Sequence, residues 1–97
     1  MRQIEFHAAA DVEMTENVRY YEERVQGLGE QFLDEIEEGL MRIQQFPYAW
    51  PTYESEYRRY LLKRFPFGLI YRVESEKIFI LAVAHLKRRP AYWQGRE

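Results

Sequence analysis

There is no cysteine among the 97 residues, so the chain has no disulfide framework, no thiol nucleophile and no thiolate metal site. Histidine is nearly as scarce. His7 and His85 are the only two, and a zinc site would have to borrow carboxylates at no recognisable spacing. Each histidine falls at the end of an expected strand, where a hydrogen-bonded structural role is the ordinary one. Ser55 and Ser75 are the only serines; neither has a histidine near it in sequence, and there is no G-x-S-x-G, P-loop or G-x-G-x-x-G motif. No metal, cofactor, covalent chemistry or small-molecule substrate is therefore expected. No apolar run approaches the ~20 residues of a membrane span, and the longest, residues 78–84, has the length of a strand. The opening MRQIE lacks the apolar core of a secretory signal. A small cytoplasmic domain spanning residues 1–97, without membrane contact, is the expectation.

What the chain does have is rings and charge. Eight Tyr, six Phe and two Trp make it 16% aromatic, enough for a few large side chains to build a core. The net charge of −2 conceals a split. Residues 1–56 set four Arg against thirteen Asp and Glu, a net of −9, and residues 57–97 set ten Lys and Arg against three Glu, a net of +7. Such a division predicts either one basic surface on an acidic body, fit for polyanions or acidic partners, or two halves that neutralise each other where they pack. A pI of 5.8 weighs against a dedicated nucleic-acid binder.

Along the chain, Ile4 and Phe6 alternate with polar residues as in a short strand. Ala10, Met14, Val18, Tyr21 and Val25 then fall on one helical stripe. Asp11 and Glu13 are expected in its first turn, favoured by the helix dipole, and Gly27 is placed as its left-handed terminator. Leu28, Phe32, Ile36, Leu40 and Ile43 form a second stripe that stops at Pro47. Gly39 inside it implies a close approach to another element. Residues 57–65, 67–73 and 77–85 read as strands rich in Tyr, Ile, Val and Phe, with Pro66 in a turn. The last is apolar on both faces, as for a central strand covered by helices and by C-terminal residues. The expected fold is α+β in the order β-α-α-β-β-β: an antiparallel sheet with a helical hairpin packed on one face.

Arg58, Arg59, Lys63 and Arg64 fall on the first strand of this meander, Arg72 on the second, and Lys87, Arg88 and Arg89 just after the third. One sheet face is taken by the helices, so basic residues of the other parity line the open face, with Tyr60, Tyr71, Tyr92 and Trp93 among them. Cations interleaved with rings suit a nucleic-acid backbone or an acidic peptide, and they are equally what a solvated face carries. The loop at residues 47–56, with Tyr48, Trp50 and Tyr53, reads either as a recognition loop or as rings capping the core edge.

The run LLKRFPFGLIYRVESEKIF followed by AVAHLKRRPAYW resembles the RelE/ParE superfamily of type II toxin–antitoxin toxins, and the resemblance extends upstream to Tyr20, Tyr21 and the LGEQFL segment. It implies a cognate antitoxin that wraps the domain with a helix or an acidic extended segment. RelE-like members cut mRNA on the ribosome with basic residues on the scissile phosphate and polar or aromatic groups moving protons. By that resemblance Arg59, Lys63, Arg88, Arg89 and Tyr92 would be the catalytic residues. However, Gly68 stands where an early second-strand arginine is expected, and Leu61 replaces a lysine. The departures favour a ParE-like inhibitor that binds DNA gyrase, with Arg58, Arg64, Arg72 and Trp93 as partner-binding residues, over an mRNA endoribonuclease or a member that only binds its antitoxin.

Overall fold

The change of period at His7 is a change of element. In the computed structural model, which describes residues 1–96, strand β1 (Gln3–Phe6) stops at His7. The His7 imidazole Nδ1 accepts a hydrogen bond from the Ala9 N–H at 3.0 Å and so caps helix α1 (Ala8–Arg24). The α1 stripe meets the core through Ala10, Met14, Val18 and Tyr21 but not Val25, which is extended and 58% exposed. Gly27 is left-handed, with φ +88°, yet it leads into helix α2 (Leu28–Gln45) rather than closing α1. The Glu22 carboxylate ties this corner by accepting from the N–H groups of Gly27 at 2.8 Å and Gly29 at 3.0 Å, two donors that the start of α2 leaves without a helical partner.

Two glycines let α2 approach its neighbours. A Cβ at Gly39 would stand 2.8 Å from the Tyr60 ring and 3.1 Å from Leu69, the helix–sheet approach expected there. At Gly29 a Cβ would meet the Val18 carbonyl oxygen and, at 2.9 Å, the Glu22 Cβ. Because the first obstacle is backbone, Gly29→Ala is expected to lower stability by about 2 kcal/mol: the helix-propensity gain of about 1 is outweighed by an overpacking cost of about 3. Urea unfolding followed by circular dichroism measures it.

After α2 come β2 (Arg58–Leu61), β3 (Phe67–Val73) and β4 (Lys77–His85), in a four-stranded sheet of order β1-β4-β3-β2. The pairs β2·β3 and β3·β4 are antiparallel, but β1 runs parallel to β4 with Ile4 opposite Ile78. The sheet is thus mixed, not purely antiparallel as expected. Alternation in a sequence marks a strand and its two faces, while the direction of the neighbour depends on how the helical hairpin returns the chain. A second correction concerns β2, which ends at Leu61 rather than reaching residue 65. Lys63 and Arg64 consequently sit in a bend before Pro66 and not on the strand.

Both sheet faces are buried. Toward the helices, Phe32, Ile36 and Ile43 pack on Tyr60, Phe67, Leu69, Tyr71, Ile78 and Ile80, with Phe32 edge-on to Phe65 and Phe67 at 5.0–5.1 Å between centroids. On the other face, Ile70, Phe79, Leu81, Ala82 and Ala84 are covered by Trp93, with Tyr53 and Tyr57 beside it. Tyr60 and Tyr71 therefore belong to the helical side, not to the open face. No helix among the described residues is long and apolar enough to cross a membrane.

Candidate functional site

β1 accompanies β4 only as far as Ile80, so the next outward-facing groups of β4 need other partners. They come from side chains. Glu13 Oε1 accepts from the Val83 N–H at 3.0 Å, and Arg96 donates to the Leu81 carbonyl at 2.8 Å. Glu13 and Arg96 also pair with each other at 2.9 Å, with side chains 15% and 18% exposed, and the Tyr92 hydroxyl donates to Glu13 Oε2 at 2.8 Å. Glu13 is in the second turn of α1, not the first. Its task is to finish the β4 edge and anchor the C-terminal segment, rather than to complement the helix dipole.

That segment, folded back over the sheet, forms a cleft of about 60 Å³ lined by Arg59, Arg88, Arg89, Tyr53, Tyr92 and Trp93. Four of the five residues that the RelE resemblance implies are brought together here; Lys63 is not among the lining residues. Arg59 projects from β2 across Gly68, where a Cβ would stand 3.1–3.2 Å from Arg59 Cγ and Cδ. The position at which an arginine is missing is thus occupied by the stem of another. The Arg59 guanidinium is seated 4.3 Å from the Tyr53 centroid and that of Arg88 3.9 Å from Tyr92.

The Tyr92 phenol has no proton-accepting role in this arrangement. Burial, followed by its hydrogen bond to Glu13, raises its pKa well above that of a free phenol, and its proton is directed at the Glu13 carboxylate. Tyr71 is likewise pushed up, to about 12, by burial, and its hydroxyl donates to the Pro47 carbonyl at 2.8 Å.

The residues expected to bind partners are dispersed. Arg58 donates to the Trp50 carbonyl at 2.6 Å, Arg64 pairs with Glu35 at 2.8 Å and Arg72 with Glu74 at 2.7 Å. Trp93 is the clearest departure. At 1% exposure it is a core residue, with no face left for a partner. In the loop of residues 47–56, Trp50 packs edge-on to Tyr60 at 4.9 Å and Tyr53 leans on Trp93 at 6.1 Å, so these two rings close the core edge, while Tyr48 is 60% exposed. Among the described residues no group of three acidic, histidine or cysteine side chains is placed to hold a metal.

In the sequence Glu35 went unnoticed and Glu13 was read only as a partner of the helix dipole. Glu13 flanks Met14 on the α1 stripe, and Glu35 flanks Ile36 on the α2 stripe; a carboxylate beside an apolar stripe, rather than opposite it, was the available signal. Glu35 accepts from the N–H groups of Lys63 at 2.9 Å and Arg64 at 3.2 Å and from Arg64 Nε at 2.8 Å, pinning the bend that ends β2. Its burial would raise its pKa, but the hydrogen bonds from Arg64 and Lys63 together bring it below the ordinary 4.5. A carboxylate with a depressed folded pKa adds stability above its unfolded pKa and loses it as pH falls through the folded one. Glu35→Gln is expected to cost about 1 kcal/mol at neutral pH and nothing once the pH is below both values. Denaturant unfolding across that range reads the difference.

Comparison with known proteins agrees with this architecture. Residues 4–90 match the family model of the ParE toxin of type II toxin–antitoxin systems, parDE. Among solved structures, a chain described as the chromosomal ParDE toxin–antitoxin system from P. aeruginosa superposes with a TM-score of 0.71 at 22% identity, over 90% of this chain and 98% of that one. That likeness speaks to the fold. No curated protein sequence matches at a significant level. With the family model spanning nearly the whole chain, the protein belongs to the ParE toxin family and is the toxin component of a type II toxin–antitoxin system, with an antitoxin as its partner.

Proposed function

We propose that this toxin acts in the cytoplasm by binding a protein target, DNA gyrase by its family resemblance, and not by cutting mRNA. The observation that carries the reading is the state of Tyr92. A phosphoryl-transfer site needs a group poised to take and return a proton near neutral pH, and here the Tyr92 phenol, which the RelE resemblance would put in that role, is committed to Glu13 and held protonated. Arg59, Arg88 and Arg89 then form a basic rim around a phenol that takes no proton, and His85 in the same lining spends its Nδ1 on the Lys87 N–H at 3.0 Å; such a cluster suits recognition of a protein surface. Two assays test this together. The purified toxin is expected to inhibit DNA supercoiling by gyrase, and to leave a defined mRNA uncut when primer extension follows a reconstituted translation reaction. New ribosome-dependent cut sites that disappear in Arg89→Ala would overturn it.

A further inference from the structure

The cations of the cleft are gathered in one lining that holds no carboxylate among the described residues. Among the described residues, ion pairs engage Arg42, Arg64, Arg72, Lys77 and Arg96, and Arg58 is satisfied by the Trp50 carbonyl. Arg59, Arg88 and Arg89 have no carboxylate partner within that described set. Arg59 and Arg88 are held instead by rings, Tyr53 and Tyr92. A guanidinium seated on an aromatic ring is oriented without spending its N–H donors, so its fork stays available to a planar, two-oxygen acceptor at little ordering cost.

The same contacts disfavour a nucleotide. Recognition of single-stranded RNA relies on open aromatic faces for the bases. Here Tyr53 and Tyr92 already carry guanidiniums, and Trp93 is buried at 1% exposure. The cleft volume of about 60 Å³ accommodates a few water-sized groups, each needing about 10–15 Å³, and so a carboxylate with its solvent rather than a base.

We infer that this cleft is the receptor for an acidic peptide segment of the toxin's target, with the ring-seated Arg59 and Arg88 gripping its carboxylates and Arg89 adding charge at the rim. The assignment rests on the protein-binding reading above and names the chemistry of the partner's contact.

The test observes the arginine Nε–H signals of the ¹⁵N-labelled full chain during titration with hexaglutamate and, separately, with hexauridylate. The Arg59 and Arg88 signals are expected to move saturably with hexaglutamate and to stay in place at the same concentrations of hexauridylate. Arg59→Gln or Arg88→Gln should weaken hexaglutamate binding by about tenfold, and Arg88→Lys should not restore it, because a lysine has neither the fork nor the seat on Tyr92. Signals that fail to move, that respond equally to hexauridylate, or that are restored by lysine would overturn the site. In parallel, the two Gln variants should lose about tenfold in gyrase inhibition while retaining antitoxin affinity. Variants that inhibit as wild type does, or that lose the antitoxin instead, would remove the target from this cleft and leave the gyrase reading standing. A wild-type toxin without effect on supercoiling would sink the gyrase reading, and the titration would still decide the chemistry of the cleft.

Discussion

Trp93→Ala is expected to cost about 4 kcal/mol of folding stability, in the range for deleting a fully buried aromatic side chain, and to abolish target inhibition with it. Trp93 is 1% exposed and stands 4.8 Å from Tyr57, nearly perpendicular to it. It also covers Ile70, Leu81, Ala82 and Ala84 on the sheet. Its removal opens a cavity between sheet and C-terminal segment that small neighbours such as Ala82 and Ala84 cannot fill by collapsing. The segment also carries Arg88, Arg89 and Tyr92, so the cleft loses its wall along with the ring. Trp93→Phe should recover more than half of the stability, since it restores an apolar ring but not the full volume. Urea unfolding by far-ultraviolet circular dichroism measures both variants. A loss for Trp93→Ala below about 1 kcal/mol, the level of an ordinary surface change, would show that the indole is not a structural ring.

The second large effect is expected at Glu13. Glu13→Ala should cost about 3 kcal/mol, the low end for breaking a buried ion pair because both partners keep a small exposure. The change deprives the Val83 N–H, the Tyr92 hydroxyl and the Arg96 guanidinium of one acceptor together. Part of that cost is the charge left behind on Arg96. Adding Arg96→Met to Glu13→Ala should therefore recover part of the stability, so that the double variant is better than the sum of the two singles. Strict additivity in a double-mutant cycle would mean that the ion pair does not couple α1 to the C-terminal segment. The Tyr92 phenol offers a second readout. Its pKa, followed by ultraviolet absorbance, should fall in Glu13→Ala, because the carboxylate that disfavours the phenolate is gone.

The elements were legible where a stripe or an alternation has one dominant face. Phe32, Ile36 and Ile43 are all buried as their spacing implies, and Gly39 meets the Tyr60 ring because a helix can approach a sheet so closely only without a Cβ. Legibility failed where a residue's partner is distant in the chain. Trp93 and Tyr60 read as rings of an open face, yet Tyr60 packs under α2 and Trp93 closes a core whose other buried members are nine to twenty-three positions earlier. Lys63 and Arg64 read as strand residues, and it is Glu35, twenty-eight positions before Lys63, that bends the chain there. The cleft was half legible. Arg59, Arg88, Arg89 and Tyr92 were singled out by type; the seats of Arg59 on Tyr53 and Arg88 on Tyr92, six and four positions apart, depend on how irregular segments turn, and the diversion of the Tyr92 proton to Glu13 joins residues 79 positions apart.

What the sequence alone determined is therefore local or summed: the two helices, the strands, the double-sided burial of residues 77–85, the division of charge and the family likeness carried by contiguous runs. Each follows from the period of apolar residues or from composition, quantities that need no knowledge of partners. The tertiary structure decided that β1 runs parallel to β4, that β2 ends at Leu61, that Glu13 and Arg96 finish the β4 edge, and that three arginines share one cleft without a carboxylate among the described residues. Hydrogen bonds and charges act over a few ångströms, and only the folded chain brings residues so far apart in sequence within that range.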